Sequence, residues 1–147
     1  MEFALEIDVT EPEMKYPGSL DVWLSEDRDS TYLGVWFGLP EGLALGLEEH
    51  EFHGLANYIR RLPDDHEYGY LAGMEVRTDL MGKGIGTEMV KVAFSELARR
   101  RVDAVFLHRS AERRSSDEQL KRFYSRFGFR GVRCCSSDFF PVMVVNL

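Results

Sequence analysis

The sequence predicts an α/β (α+β) fold, a sheet flanked by helices, and three observations carry that prediction. Short β-favouring runs occupy the chain before Pro40, helical periodicities alternate with the later strand-like runs, and a glycine-rich turn opens directly into an amphipathic helix. With 147 residues, 44% hydrophobic and 12% aromatic, the chain can bury one compact core, and a single domain over residues 1–147 is expected. No internal repeat, low-complexity tract or long linker interrupts it.

The first elements are strands. Residues 3–9, 19–24 and 31–37 are β-favouring and partly alternating, and the polar turn 25–30 makes the latter two a hairpin. Over residues 48–62, Phe52, Leu55, Ala56 and Ile59 recur at helical spacing, and Arg60 and Arg61 sit where a helix C-terminus favours cations, so a helix is predicted. Residues 67–77 then form a strand with Tyr68, Tyr70, Ala72, Met74 and Val76 on one face.

The best-defined helix covers residues 85–101. Its buried stripe is Ile85, Met89, Ala93 and Leu97, widened by Val90 and Phe94, and Arg99, Arg100 and Arg101 close its negative end. Residues 102–107 are a short apolar strand. Ser115 or Ser116 caps the next helix, because Glu118 and Gln119 each complete a capping-box spacing. That helix buries Leu120, Phe123 and Phe127 and ends at Gly128 in a left-handed conformation. Residues 129–135 and 139–145 are the last strands.

The net charge of −7 conceals a split. Residues 1–76 carry 4 Lys/Arg against 17 Asp/Glu, net −13, and residues 77–147 carry 14 against 8, net +6. An anion should favour the second half and a cation the first, although a solvated surface explains the split as well. The overall acid excess and the lack of a base-stacking motif disfavour a nucleic-acid partner. No apolar run approaches the roughly 20 residues of a bilayer span, and the first residues alternate acidic and apolar instead of forming a basic leader; no membrane partner and a cytoplasmic location are expected. Cys134 and Cys135 are adjacent, cannot cross-link distant parts of the fold, and read as buried, inert thiols; no His or Cys cluster has zinc spacing, so no metal is expected.

The chemistry is concentrated in Met81, Gly82, Lys83, Gly84, Ile85, Gly86 and Thr87, where a strand gives way to a helix. Without Cβ atoms the backbone can bend so that successive N–H groups face a phosphate, the helix N-terminus adds partial positive charge, and Lys83 offers a full one. Other phosphate loops fail on spacing. A Walker loop needs Ser or Thr after Gly-Lys, where Gly84 stands, and a dinucleotide fingerprint needs a third glycine at position 87, which is Thr. A tight turn with no ligand remains the bland alternative.

Read with the following helix, this segment resembles a known family. Val76 to Gly86 is similar to motif A of the GNAT superfamily of N-acetyltransferases, whose pyrophosphate loop binds acetyl-CoA. Phe123-Tyr124-Ser125-Arg126-Phe127-Gly128-Phe129 is similar to its motif B. The resemblance covers about residues 68–147. Met81 stands where the family usually has Arg or Gln, Asp117 where Asn is usual, and Thr78 where Pro is common; the helix at 48–62 also follows three strand-like runs where the family usually places two helices after its first strand.

What the resemblance implies is a mixed, largely antiparallel sheet whose fourth and fifth strands, 67–77 and 102–108, splay apart around acetyl-CoA as cosubstrate. Met74 and Val76 would pair with pantetheine, residues 81–87 would hold the diphosphate, and Lys121, with Arg113, Arg114 and Arg122, could meet the phosphates. A free amine would attack the thioester directly, a strand N–H would stabilise the oxyanion, and Tyr124 would protonate the departing thiolate. Glu75 is the first candidate base, His108 the second, and Glu49, His50, Glu51 and His53 a third pool. The acceptor is expected to be a cationic amine, small molecule or protein. A non-catalytic acyl-CoA-binding or regulatory module on the same fold is the alternative, and pairing of C-terminal edge strands into a homodimer is open.

Overall fold

The alternation in the first third of the chain sets strands. The computed structural model describes residues 3–110, 116–135 and 138–147, and in it β1 (Leu5–Thr10), β2 (Gly18–Leu24) and β3 (Tyr32–Gly38) pair antiparallel in chain order. The remaining elements are α1 (Pro40–Glu49), α2 (His53–Ile59), β4 (Glu67–Glu75), α3 (Ile85–Arg99), β5 (Val102–His108), α4 (Asp117–Ser125), β6 (Arg130–Val132) and β7 (Val142–Asn146). The sheet runs β1-β2-β3-β4-β5-β7-β6, and β4 with β5 is its parallel pair. The mixed, largely antiparallel sheet flanked by helices is therefore present.

The two sheet faces carry separate cores. Leu20, Val22, Leu33, Val35 and Phe37 pack with Met89, Val90, Ala93 and Leu97 of α3, all essentially fully buried. Burial of each such side chain contributes about 1.5–3 kcal/mol. The stripe expected for this helix is the one observed, because its apolar residues recur at a spacing only a helix brings to one side. On the opposite face, Leu43, Ala44 and Leu47 of α1 and Leu55, Ala56 and Ile59 of α2 cover Tyr68, Tyr70, Ala104 and Phe106.

Several expectations are corrected. The helix expected over 48–62 is two helices. Pro40 starts α1 at a position where its missing N–H costs nothing, and the chain breaks between α1 and α2, where Glu51 adopts φ 64°. Strand β4 does not present Tyr68, Tyr70, Ala72, Met74 and Val76 on one face. Gly34 pairs with Gly73 but Val35 with Leu71, so Ala72 is an extra residue and the side-chain alternation inverts across it. Tyr68 and Tyr70 therefore face α1 and α2, whereas Leu71, Met74 and Val76 face α3. The last strands are shorter than expected, and Cys134 and Cys135 are joined as a disulfide instead of being free thiols. Ser116 caps α4, its hydroxyl accepting from the Gln119 N–H while Gln119 returns a bond to the Ser116 N–H; Ser115, Arg113 and Arg114 lie outside the described residues.

Thr31 ties the β2–β3 turn to the end of β4. Its hydroxyl is fully buried, donates to Asp27 Oδ2 at 2.8 Å and accepts from the Arg77 N–H at 3.2 Å. Arg77 also pairs with Asp27 at 3.4 Å. Thr31→Val keeps the shape and strands both partners. It is expected to lower unfolding stability by about 1–3 kcal/mol, measured by urea denaturation; an unchanged midpoint would mean that the hydroxyl is not the anchor.

Candidate active site

Strands β4 and β5 pair only as far as Tyr70 and Phe106, yet β4 continues to Glu75 and β5 to His108. Beyond Tyr70 the edge of β4 that faces β5 leaves the ladder, and a cavity of about 920 Å³ fills the gap. It reaches both faces of the sheet. Trp36, His50, Phe52, Tyr70 and His108 line it from the side of α1 and α2, and Leu71, Met74, Val76 and Tyr124 from the side of α3 and α4. A sheet splayed in this way presents strand edges inside the cleft, along which an extended ligand can lie.

A second cavity of about 440 Å³ adjoins it, lined by Met74, Val76, the loop residues Met81, Gly82, Gly84, Ile85, Gly86 and Thr87, and residues of α4. The loop's shape follows from its glycines. Gly82 and Gly84 adopt φ 78° and 86°, and Gly84 is the left-handed N-cap of α3. No side chain caps α3, so the N–H groups of its first turn remain available for an anion at the positive end of the helix.

Helix α4 explains the apolar half of this cavity. It is amphipathic and ends at Ser125, short of the expected Gly128; Leu120 and Phe123, with Phe127 just past its end, are only half-buried where full burial was expected, and Leu120 and Phe123 face the cavity with Tyr124. Tyr124 borders both cavities. Its ring stacks on Phe123 at 5.4 Å and meets Phe129 edge-on at 5.6 Å.

Lys83 and Lys121 are exposed and are not among the lining residues; Arg126, which the sequence reading passed over, is, with its guanidinium 5.5 Å from the Phe123 ring centre. Glu75 is exposed at the end of β4, borders the larger cavity, and accepts a long 3.4 Å hydrogen bond from the Tyr32 hydroxyl. Of the third pool of candidate bases, His50 reaches that cavity, its ring 4.9 Å from Trp36; Glu49, Glu51 and His53 do not line it.

The His108 side chain is 3% exposed, and both its ring nitrogens are engaged: Nδ1 lies 2.8 Å from the Tyr70 hydroxyl and Nε2 2.9 Å from Asp138 Oδ2. Phe52 stacks on the imidazole at 4.3 Å. Burial, and then the Asp138 charge, push the Tyr70 phenol well above its ordinary range, so it stays protonated. The sequence reading missed Tyr70 and Asp138. One is a strand aromatic and the other a lone loop acid, and no spacing along the chain joins them.

The sequence profile described as "Acetyltransferase (GNAT) family" matches residues 6–129. Among solved structures, the fold is similar to an agmatine N-acetyltransferase variant in apo form, with TM-score 0.55 and 12% identity over 88% of this chain and 76% of that one. It is also similar to AtaTR bound with AcCoA, with TM-score 0.52 and 12% identity over 97% and 94%. At that identity both are likenesses of fold. No curated protein matches the chain by sequence. No helix among the described residues is long and apolar enough to cross a membrane.

Proposed function

The chain belongs to the acetyltransferase (GNAT) family, with acetyl-CoA as acetyl donor, and from that premise we propose that it acetylates an amine acceptor, cationic in water, through direct attack by the free amine. The observation that carries the reading is the cleft between β4 and β5, which opens to both faces of the sheet. Donor and acceptor can then approach from opposite sides and meet within it.

The residues present fit the donor. The uncapped start of α3, bent into place by Gly82 and Gly84, would hold the diphosphate, and Met74 near the end of β4 with Val76 just beyond it, which line both cavities, would hold the pantetheine. When bound, acetyl-CoA supplies the acetyl thioester. Tyr124, which borders both cavities, would give its proton to the departing sulfur. A phenol near pKa 10 and a thiol near about 8.5 are close enough for that transfer. An N–H beside the bulge at Ala72 is the candidate oxyanion donor.

The acceptor would face a surface of aromatic rings with one carboxylate. Glu75 borders the larger cavity with Trp36, Phe52 and Tyr70, and no lysine or arginine is among its described lining residues. That lining suits an ammonium group and offers a carboxylate or phosphate no described lysine or arginine. The solved relative named for agmatine acts on a cationic amine, which agrees with this choice. A single domain over residues 1–147 acting in the cytoplasm is part of the proposal.

Labelled acetyl-CoA incubated with amines, amino acids and lysine peptides tests it. Label is expected on alkylamines without a carboxylate, at least about tenfold faster than on the matching amino acids. Transfer to carboxylate-bearing acceptors in preference, or to none of the panel, would overturn the reading.

A further inference from the structure

We infer that Tyr70, His108 and Asp138 form a proton relay that takes the proton from the acceptor amine, with the Tyr70 hydroxyl as the contacting group. The inference rests on the amine-acetylating function proposed above and names the base for that reaction.

The direction of the relay follows from its donors and acceptors. Asp138 is 2% exposed, and its carboxylate accepts the Gly54 N–H at Oδ1, 2.8 Å, and the Leu55 N–H at Oδ2, 2.9 Å. A carboxylate that takes two backbone N–H groups in this way acts as an acceptor only. His108 Nε2, 2.9 Å away, must therefore carry the hydrogen. That leaves Nδ1 as an acceptor, and the Tyr70 hydroxyl at 2.8 Å donates to it.

The same logic removes His108 as the group that touches substrate. Both its nitrogens already have partners inside the protein, so an amine in the cleft can reach the imidazole's basicity only through the Tyr70 oxygen. Tyr70 itself is the last residue of β4 paired with β5 and lines the larger cavity where the strands part. The step balances. A proton passes from the ammonium nitrogen to the Tyr70 oxygen as the phenolic proton passes to His108 Nδ1. The products are a neutral amine, an unchanged phenol and an imidazolium held by the Asp138 carboxylate. No phenolate need stand free, in keeping with burial pushing the Tyr70 phenol upward.

The relay is also held rigid. Phe52 stacks on His108, Trp36 lies 5.5 Å from Tyr70, and β4 and β5 are in register at Tyr70 and Phe106. Among the described residues, the other titratable groups lining the same cavity are His50, Glu75 and, from α4, Tyr124. Arg109, next in sequence to His108, pairs instead with Asp117 at 2.6 Å.

The test is the rate of acetylation of a simple alkylamine from pH 6 to 10 by the wild type, Tyr70→Phe and His108→Gln, with folding checked by thermal melting. With the relay intact, the rate should level off well below the amine's own pKa of about 10.4. In Tyr70→Phe the rate at pH 7 should fall at least about tenfold, then climb with unit slope and rejoin the wild type near that pKa, with KM for acetyl-CoA unchanged. A second readout needs no turnover: nitrogen NMR of His108 should show hydrogen on Nε2 in the wild type and in Tyr70→Phe. An active wild type whose Tyr70→Phe keeps the same rate and profile, or loses the same factor at every pH, overturns the relay alone. A wild type that acetylates no amine overturns the proposed function, and the relay's role with it.

Discussion

Tyr124→Phe is expected to lower kcat about a hundredfold while leaving the acetyl-CoA dissociation constant unchanged. The substitution isolates one hydroxyl. The ring's packing against Phe123 and Phe129 involves carbon atoms that phenylalanine retains. Loss of a positioned general acid typically costs about 10²–10⁴ in rate, and the lower end applies here because a thiolate is already a good leaving group. The size of the effect should depend on the donor, shrinking for thioesters whose thiol is more acidic. Calorimetric titration with acetyl-CoA supplies the binding control. A variant with wild-type kcat would remove Tyr124 from the chemistry and leave it as an aromatic wall of the cavity.

Replacing Gly82 and Gly84 together by alanine is expected to weaken acetyl-CoA binding about a hundredfold. Both hold a left-handed backbone, where an L-residue costs about 1–2 kcal/mol each, and about 1.4 kcal/mol is a factor of ten in affinity. No atom lies within 4 Å of either added methyl group, so the penalty is one of backbone conformation and not of packing. Should the loop relax, the cost appears as lost binding; should it hold its shape, as lost stability. Titration and thermal melting together capture both. A dissociation constant within about threefold of wild type, at unchanged melting temperature, would show that these amides do not grip the diphosphate.

Much of the fold was legible where one residue pattern had one physical reading. The stripe of α3 could be buried only by a helix, and Gly82 and Gly84 marked the turn before it because left-handed backbone excludes most side chains. Ser116 with Gln119 fixed the start of α4 for a similarly local reason. The sequence reading failed where a pattern was continuous but the backbone was not. Apolar residues run on through the break between α1 and α2, and nothing in the apolar spacing of β4 reveals the extra residue at Ala72. That bulge decides which side chains of β4 face which core, and so which of them border each side of the cleft.

By itself, the sequence determined the elements whose reasons are local: the glycine-rich loop, the helix it opens, and the aromatic helix carrying Tyr124. Only the tertiary structure decided how wide the cleft is and what lines its acceptor side. Tyr70 of β4, His108 of β5 and Asp138, which precedes β7, meet because β4 and β5 run parallel and Asp138 accepts the N–H groups of Gly54 and Leu55 in α2. A hydrogen-bonded chain of that kind depends on distances of about 3 Å between residues far apart in sequence, and no periodicity encodes such distances.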